Sequence, residues 1–486
     1  MNWLHNIILL TISFLISRLL VDSRLHHVFI QKMAGWSSNT VFAMVNGILF
    51  ISYALSLFFS NTVVAITMVP VISGLTAGIR DTSLRNRTAT HFILALIYGA
   101  NIGGMGSLTG TYLNIVSVSY MEILGIADSR YVTYFSWLIV GIPVSLLLLA
   151  AARLVLLFGE KKLIPAGEFL LLEKSVPIQP LKRYSGVFLI NLVLFIVLTA
   201  LQFFLRPDPV WKRFNIIDII FIIYLALFIF FAFLYPRGGF SFPVFRKNVV
   251  FFLFFILFSP VIFINETLKE AGRRFHLRGL SFVDKIDSSM IKLFNGIWFC
   301  LFREKWESLR SNNRNAHISA NRIIFDLPFW GMTFMGLVLI FLLFLINLGN
   351  DPATPQIDGY VFQFLERLTS GLFIFSDHLF ILFFMIILMS ILLTEIVSNT
   401  SVVLVTFPLI AGLSVSGGFN PFFLMLAVAV ASNGAFMSPI ATSVNAVSYA
   451  GLPGISLKKM LKRGLILNLC TAAYFSLVFF LFNRIF

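Results

Sequence analysis

The tripeptide Ser-Asn-Thr occurs twice in the middle of long apolar stretches, where small polar side chains are unexpected. The two copies, named here the first tip and the second tip, are Ser60-Asn61-Thr62 and Ser398-Asn399-Thr400. In each copy a proline follows ten positions after the serine. Hydroxyl and carboxamide oxygens suit a weakly hydrated monovalent cation such as sodium, whereas N–H and O–H donors at the start of a helix suit an oxyanion. The pattern therefore predicts two related binding segments without fixed charge.

Two further stretches, residues 98–114 and 430–445, interrupt apolar helices with Gly, Asn, Ser and Thr. Both end on the spacing Thr-x-x-Asn, as Thr111 to Asn114 and Thr442 to Asn445. Glycine and small polar residues open a helix at a tolerable cost and expose backbone C=O and N–H groups. Close packing between helices would explain the glycines alone, but not the recurring Thr and Asn. We therefore predict two discontinuous helices.

Apolar runs of about 20 residues predict membrane-spanning helices as the elements that position these residues. Of the 486 residues, 58% are hydrophobic and 12% are charged. In a soluble domain about a quarter of the residues are charged. A transmembrane barrel would instead alternate apolar and polar residues over about 10 residues. We therefore expect an all-α polytopic membrane protein.

Charge, cysteine content and motifs exclude several classes of function. The net charge of +15 comes from Lys and Arg in loops between apolar runs, where they set orientation in the membrane and do not indicate nucleic acid binding. The two cysteines lie in apolar surroundings and predict neither a disulfide framework nor a metal cluster. A phosphate-binding glycine loop, a zinc spacing and a nucleophile–base motif are all missing from the sequence. We therefore expect no enzyme, and no cofactor other than coupling ions.

The order of the elements predicts an internal repeat. Residues 1–157 form the first repeat, with a span, a hairpin at 38–78, a broken helix at 89–123 and a span at 132–157. Residues 158–323 form a connector with about three or four spans and a basic, mostly cytoplasmic stretch at 265–322. Residues 324–486 form the second repeat, with a span, a hairpin at 377–415, a broken helix at 421–452 and a span at 464–484.

Each hairpin is expected to be re-entrant, with its tip buried inside the protein, because an opened backbone in the membrane must be satisfied by protein or by a water-filled cavity. The alternative is a pair of ordinary helices joined by a polar surface loop. Residues 79–87 contain three Arg, whereas residues 349–360 contain two Asp and no Lys or Arg. Since Lys and Arg favour the cytoplasmic side, the two hairpins should enter from opposite faces. Opposite orientation is typical of inverted-topology repeats.

The sequence resembles the divalent anion:sodium symporter family, part of the ion transporter superfamily. The resemblance lies in the two tips and in the segments SLTGTYLNIV at 107–116 and FMSPIATSVNAVSYAG at 436–451. The resemblance covers about residues 20–157 and 324–484. It implies a homodimer in which scaffold helices hold a mobile transport domain. It also implies an elevator-type movement of the binding site across the membrane.

The resemblance implies a role for individual residues of the tips and of the broken helices. Substrate contacts are expected from Ser60, Asn61, Thr62, Thr111, Ser398, Asn399, Thr400 and Thr442. Sodium ligands are expected from Ser60, Asn61, Asn101, Gly104, Gly106, Ser398, Asn399, Ser432, Asn433 and Ala435. Many members of the family have proline between the Thr and the Asn of each broken helix, where Tyr112-Leu113 and Ser443-Val444 stand here. We therefore expect a pocket of different shape, which leaves the substrate open.

These patterns predict a secondary active transporter that couples sodium to a small anion, such as a di- or tricarboxylate or sulfate, in a bacterial inner membrane. Its partners would be this anion, membrane lipid and a second copy of the chain. An anion exchanger or a proton-coupled carrier on the same fold is one alternative, and an acid such as Glu395, three residues before the second tip, would serve the latter. A transport-inactive membrane sensor or scaffold is another.

Overall fold

The computed structural model describes residues 8–9, 11–13, 15–16, 19, 41–158, 182–204, 216–234, 240–253, 292, 296 and 378–485. Every regular element within these residues is a helix, so the expected all-α architecture is confirmed for the described part. The chain forms two compact units, one of residues 1–213 and 336–486 and the other of residues 214–335. The predicted span at 324–348 and most of the connector beyond residue 253 lie outside the described residues.

The first half of the chain contributes the helices α1 (Val41–Ser56), α2 (Asn61–Ala77), α3 (Thr82–Gly106), α4 (Tyr112–Ile123), α5 (Tyr134–Leu157) and α6 (Lys182–Phe204). Residues 107–111, named here the first break, separate α3 from α4. Helix α3 begins before the predicted position 89, because it continues through Arg85 and Arg87, and arginine is a good helix former. Helix α7 (Ile216–Ile229), with the π-helical turn Phe230–Leu234, belongs to the second unit.

The second half contributes α8 (Leu379–Thr394), α9 (Asn399–Gly417), α10 (Pro421–Ala431), α11 (Ser443–Ala450) and α12 (Leu457–Ile485). Residues 432–442, named here the second break, separate α10 from α11. The order of helix, tip, helix, broken helix and long helix is therefore the same from α1 to α5 and from α8 to α12. The sequence places the tips and breaks at equivalent points of this order.

A serine occupies the N-cap position of the helix at each tip. Ser60 and Ser398 have extended backbone angles (φ −53° and ψ 131°; φ −60° and ψ 140°) and precede α2 and α9. Oγ of Ser398 accepts a hydrogen bond from the backbone N–H of Ser401 at 3.2 Å. Ser60 is half-buried and Ser398 is exposed. Small polar residues favour this position, because their side chains can accept from the first N–H groups of a helix, which lack partners within it.

A proline interrupts the hydrogen bonding inside α2 and inside α9. Proline has no N–H, so the carbonyl four residues earlier loses its helical donor. In α9 the carbonyl of Leu404, four residues before Pro408, instead accepts the hydroxyl of Tyr120 from α4 at 3.3 Å. The Tyr120 ring also stacks on Phe407, with ring centroids 5.7 Å apart. Helices α4 and α9 are thereby joined.

Helix α3 is the centre of the first unit. Every residue from Thr88 to Gly106 is buried, as in a helix that other elements surround on all sides. Helix α1 packs closely against it, since a Cβ added at Gly99 would collide with the carbonyl of Leu49, and one added at Gly103 with the carbonyl of Tyr53. Small residues four positions apart allow such close approach between helices in membranes.

The outward faces of several helices are apolar. Among the described helices, α5 and α12 are long and apolar enough to cross a membrane. Large hydrophobic side chains are exposed along α5, α6, α8 and α12, among them Leu147, Leu154, Ile190, Met389, Leu477 and Leu481. Apolar surface of this extent is unusual for a soluble monomer and fits contact with lipid.

Replacing Gly99 with alanine is expected to destabilise the first unit, because the added methyl group collides with the backbone of α1. Overpacking of this kind costs about 1–3 kcal/mol. The measurement is the midpoint of thermal unfolding of the purified protein in detergent. Gly74→Ala in α2 is the matched control, because no atom lies within 4 Å of the added group and alanine is the better helix former. An unchanged midpoint for Gly99→Ala would contradict the packing of α1 on α3.

Candidate functional site

The two tips and the two breaks each start a helix. Helices α2 and α9 begin at Asn61 and Asn399, and helices α4 and α11 begin at Tyr112 and Ser443. The first N–H groups of a helix have no partner within the helix and carry a partial positive charge. Such N-termini are suited to bind an anion. Whether they act together depends on the contacts between the four helices.

Each tip contacts the helix that follows the break of the other half. Oγ1 of Thr62 lies 2.6 Å from Oγ of Ser443, and Oγ1 of Thr400 lies 3.0 Å from the hydroxyl of Tyr112. The partners are 381 and 288 residues apart in the sequence. In both contacts the second residue of the tip helix meets the first residue of the break helix. The N-termini therefore adjoin in pairs, α2 with α11 and α9 with α4.

A buried asparagine satisfies the opened backbone of each break. Nδ2 of Asn114 donates to the carbonyls seven and ten residues earlier, at 2.8 and 2.9 Å. Nδ2 of Asn445 donates to the carbonyls at the same two offsets, both at 2.8 Å. These are the asparagines that end the two Thr-x-x-Asn spacings. The repeated residue therefore makes the same contacts in both halves.

Two further asparagines join the halves through the amides just described. Nδ2 of Asn101 in α3 donates to Oδ1 of Asn445 at 3.1 Å. Nδ2 of Asn433 in the second break donates to Oδ1 of Asn114 at 2.9 Å. All four side chains are at most 3% exposed. The structure therefore places Asn101 against the second break and Asn433 against the end of the first, which the sequence does not predict.

Oxygen atoms surround the side chain of Asn61. The carbonyls of Ala100 and Gly110 lie 3.2 Å from its carboxamide, and the hydroxyl of Ser56 contacts it. The carboxamide nitrogen faces these groups and donates to them. Glycine is required at position 104, because a Cβ there would lie 2.6 Å from Asn61.

Three oxygen atoms of the predicted site are buried and have no hydrogen-bond partner among the described residues. They are Oδ1 of Asn399, Oγ1 of Thr111 and Oγ of Ser432. Leaving a buried polar atom unpaired costs about 1–3 kcal/mol. These atoms are therefore candidates for contact with a bound ion or ligand.

Two other predicted residues, Thr442 and Ala435, have hydrogen-bond partners within the protein. Oγ1 of Thr442 accepts the backbone N–H three residues later at 3.1 Å and caps α11. The carbonyl of Ala435 accepts from the side chains of Asn101 and Asn445, at 3.4 and 2.8 Å, which engages both of its lone pairs. Gly106 lies against α5, where an added Cβ would collide with a side chain.

Sequence reasoning missed the extent of the contacts made by Glu395. This side chain is 8% exposed. Oε1 accepts from the backbone N–H of Met437 at 2.9 Å and from Nδ2 of Asn468 at 2.7 Å, and Oε2 accepts from the backbone N–H of Ser438 at 2.6 Å. The end of α8 is thereby tied to the second break and to α12. The signal in the sequence was an acid within an apolar stretch beside the second tip. The sequence leaves open whether this acid exchanges a proton or pairs locally, and in the structure its carboxylate accepts three hydrogen bonds from N–H groups.

Comparison with known proteins identifies the family of this chain. The sequence model of the CitMHS family, described as citrate transporter, matches residues 4–353. The chain belongs to this citrate transporter family. It is therefore an integral membrane protein of a transporter family and not an enzyme. The predicted resemblance to divalent anion:sodium symporters is confirmed by the family and by the names of the relatives.

Three relatives illustrate the similarity. An uncharacterized transporter of Methanocaldococcus jannaschii is 25% identical over 430 residues, which are 88% of this chain and 71% of the relative. The sodium-dependent dicarboxylate transporter SdcS of Staphylococcus saprophyticus is 23% identical over 439 residues, 87% of this chain and 66% of the relative. SdcS of Staphylococcus aureus strain NCTC 8325 is 25% identical over 436 residues, with the same two shares of 87% and 66%. The chain thus spans about two thirds of the length of the SdcS proteins.

Glu395→Gln is expected to destabilise the protein, because the new amide places N–H donors against the backbone N–H donors of the second break. Hydrogen bonds to a charged group contribute about 1.5–3 kcal/mol, and the expected result is a lower midpoint of thermal unfolding in detergent. Asp81→Asn is the control: Asp81 is exposed and caps α3 through Ser83 N–H at 2.8 Å, and asparagine caps equally well. Wild-type midpoints for both variants would show that the Glu395 contacts do not stabilise the fold.

Proposed function

We propose that this chain is a secondary active transporter that carries a small di- or tricarboxylate together with sodium. The observation that carries the proposal is the pairing of helix N-termini across the two halves, through Thr62 with Ser443 and Tyr112 with Thr400. The two tips and the two breaks contain no Lys or Arg. Within these segments an anion is therefore offered neutral N–H and O–H donors, which helix starts supply.

A dianion in a pocket without fixed positive charge is unfavourable unless a cation binds beside it. At an effective dielectric constant of about 20, unit charges about 4 Å apart attract by about 4 kcal/mol. The side chain of Glu395, when ionised, adds a further negative charge at the second break. A bound sodium ion would offset this charge. Each ion would then raise the affinity for the other, which would couple their binding.

Oxygen atoms near each tip support a sodium site there. At the first tip these are the carbonyls of Ala100 and Gly110, which lie 3.2 Å from the Asn61 carboxamide. In the second half the candidates are Oδ1 of Asn399 in the tip and Oγ of Ser432 in the break, which are buried and unpartnered among the described residues. Carbonyls of unwound helices are the ligands that sodium-coupled transporters use. Sodium is a transported ion in this proposal and not a resident cofactor.

The reciprocal contacts between the halves support an inverted repeat. Asn101 donates to Asn445, and Asn433 donates to Asn114, so each half supplies one amide to the other. A two-fold relation between equivalent elements produces reciprocal pairs of this kind. From the family resemblance we further propose a homodimer, an elevator-type movement of the site, and a location in the inner membrane of a bacterium.

Asn61→Ala and Asn399→Ala are each expected to abolish stabilisation by ligand, because each removes a proposed sodium and substrate contact. The measurement is the thermal unfolding midpoint of the full purified chain with succinate, malate, citrate or sulfate, in sodium chloride and in choline chloride. For wild type a carboxylate is expected to raise the midpoint in sodium and not in choline. Asn191→Ala in α6, whose side chain bonds to its own helix, is the matched control and should keep the full ligand response.

The outcomes of this screen separate the candidate functions. Equal ligand responses in sodium and in choline would favour an exchanger or a proton-coupled carrier. A response to sulfate alone would replace carboxylates as the substrate. Binding without counterflow of labelled substrate in proteoliposomes would identify a transport-inactive sensor. A full ligand response in both tip variants would show that the tips are structural.

A further inference from the structure

The hydroxyl pairs of the site contain two residues to which the family resemblance assigns no role. Tyr112 and Ser443 are the first residues of α4 and α11. Each lies within hydrogen-bond distance of the threonine of a tip, Tyr112 beside Thr400 and Ser443 beside Thr62. A proline at either position would offer no side-chain hydrogen bond. These two hydroxyls therefore add polar groups to the neutral cradle.

A pair of hydroxyl groups keeps both a donor and an acceptor free. One O–H donates within the pair, so the O–H of the accepting group remains available to a ligand, and lone pairs remain on both oxygens. A carboxylate only accepts hydrogen bonds, and it would use the free O–H alone. An alcohol group both donates and accepts. A ligand that carries an alcohol beside its carboxylates would therefore use both capacities of a hydroxyl pair.

Three of the four residues in the hydroxyl pairs are accessible, in contrast to the buried amides that hold the breaks together. Ser443 is exposed, and Thr62 and Tyr112 are half-buried. The four asparagines that join the breaks are instead at most 3% exposed. Only Thr400, at 3%, is equally buried in the two pairs. A contact that served only to tie a tip to a break would gain from burial, whereas an accessible hydroxyl at a helix N-terminus can meet a ligand.

We propose that Tyr112 and Ser443 are specificity-determining residues, which select a hydroxycarboxylate over the carboxylate of the same skeleton without the alcohol. This inference rests on the proposed function, since it assigns a selective role to two residues of the same site. One or both hydroxyl pairs accept the alcohol O–H of the substrate. A substrate without the alcohol leaves that acceptor unused and, once water is displaced, unpaired, which lowers its affinity.

The test compares matched ligands on the full purified chain in sodium. Dissociation constants are measured for malate against succinate and for citrate against tricarballylate, pairs that differ by one hydroxyl group. Wild type is expected to prefer the hydroxylated member of at least one pair by about fivefold, the effect of a single neutral hydrogen bond. Tyr112→Phe or Ser443→Ala is expected to remove that preference, and the double variant to bind both members equally. Tyr131→Phe, an exposed tyrosine outside the site, is the control and should keep it.

The ratio of two affinities measured on one sample does not depend on how much protein is folded. If the variants weaken both members of a pair by the same factor, the hydroxyls are structural and the inference is wrong. Equal binding of both members by wild type would also overturn it, while leaving the proposed carboxylate transporter intact. If wild type binds no carboxylate with or without sodium, the proposed function fails together with the inference.

Discussion

Backbone groups opened inside a membrane protein must be satisfied by protein or by a water-filled cavity, and in both breaks of the chain buried asparagines satisfy them. Asn114 and Asn445 each direct one NH₂ group at two freed carbonyls. Their own oxygens accept from Asn433 and Asn101, which come from the opposite half. Because each break needs an amide from the other half, the two breaks are complete only together.

The same network fixes the positions of the helix starts that form the site. Helices α4 and α11 begin two residues before the anchored asparagines, so their N-termini cannot shift without disturbing buried hydrogen bonds. The tip threonines then contact those starts. Glu395 adds a tie between the end of α8 and the second break. A ligand would therefore meet donors held in place by contacts behind them, which lowers the entropic cost of binding.

Helix positions were largely predictable, because apolar length and cap residues act over a few neighbours in sequence. The span expected at 132–157 overlaps α5, Tyr134–Leu157, and the span expected at 464–484 lies within α12, which begins at Leu457. That helix continues through Lys458 and Lys459, which interrupt an apolar run but favour a helix. The partners of Asn101 and Glu395 were not predictable, since they come from tertiary packing. The sequence indicates that such polar residues lie within apolar segments, but it does not indicate which half of the chain each would contact.

The bond between Tyr120 and the carbonyl that Pro408 leaves free has a mechanical consequence. A proline makes a helix easy to bend, and the phenol holds α9 at its weakest point. Bending of α9 there must either break this bond or carry α4 along. Helix α9 and helix α4 would therefore move together. The stacking of Tyr120 on Phe407 and the contact of Tyr112 with Thr400 join the same two helices.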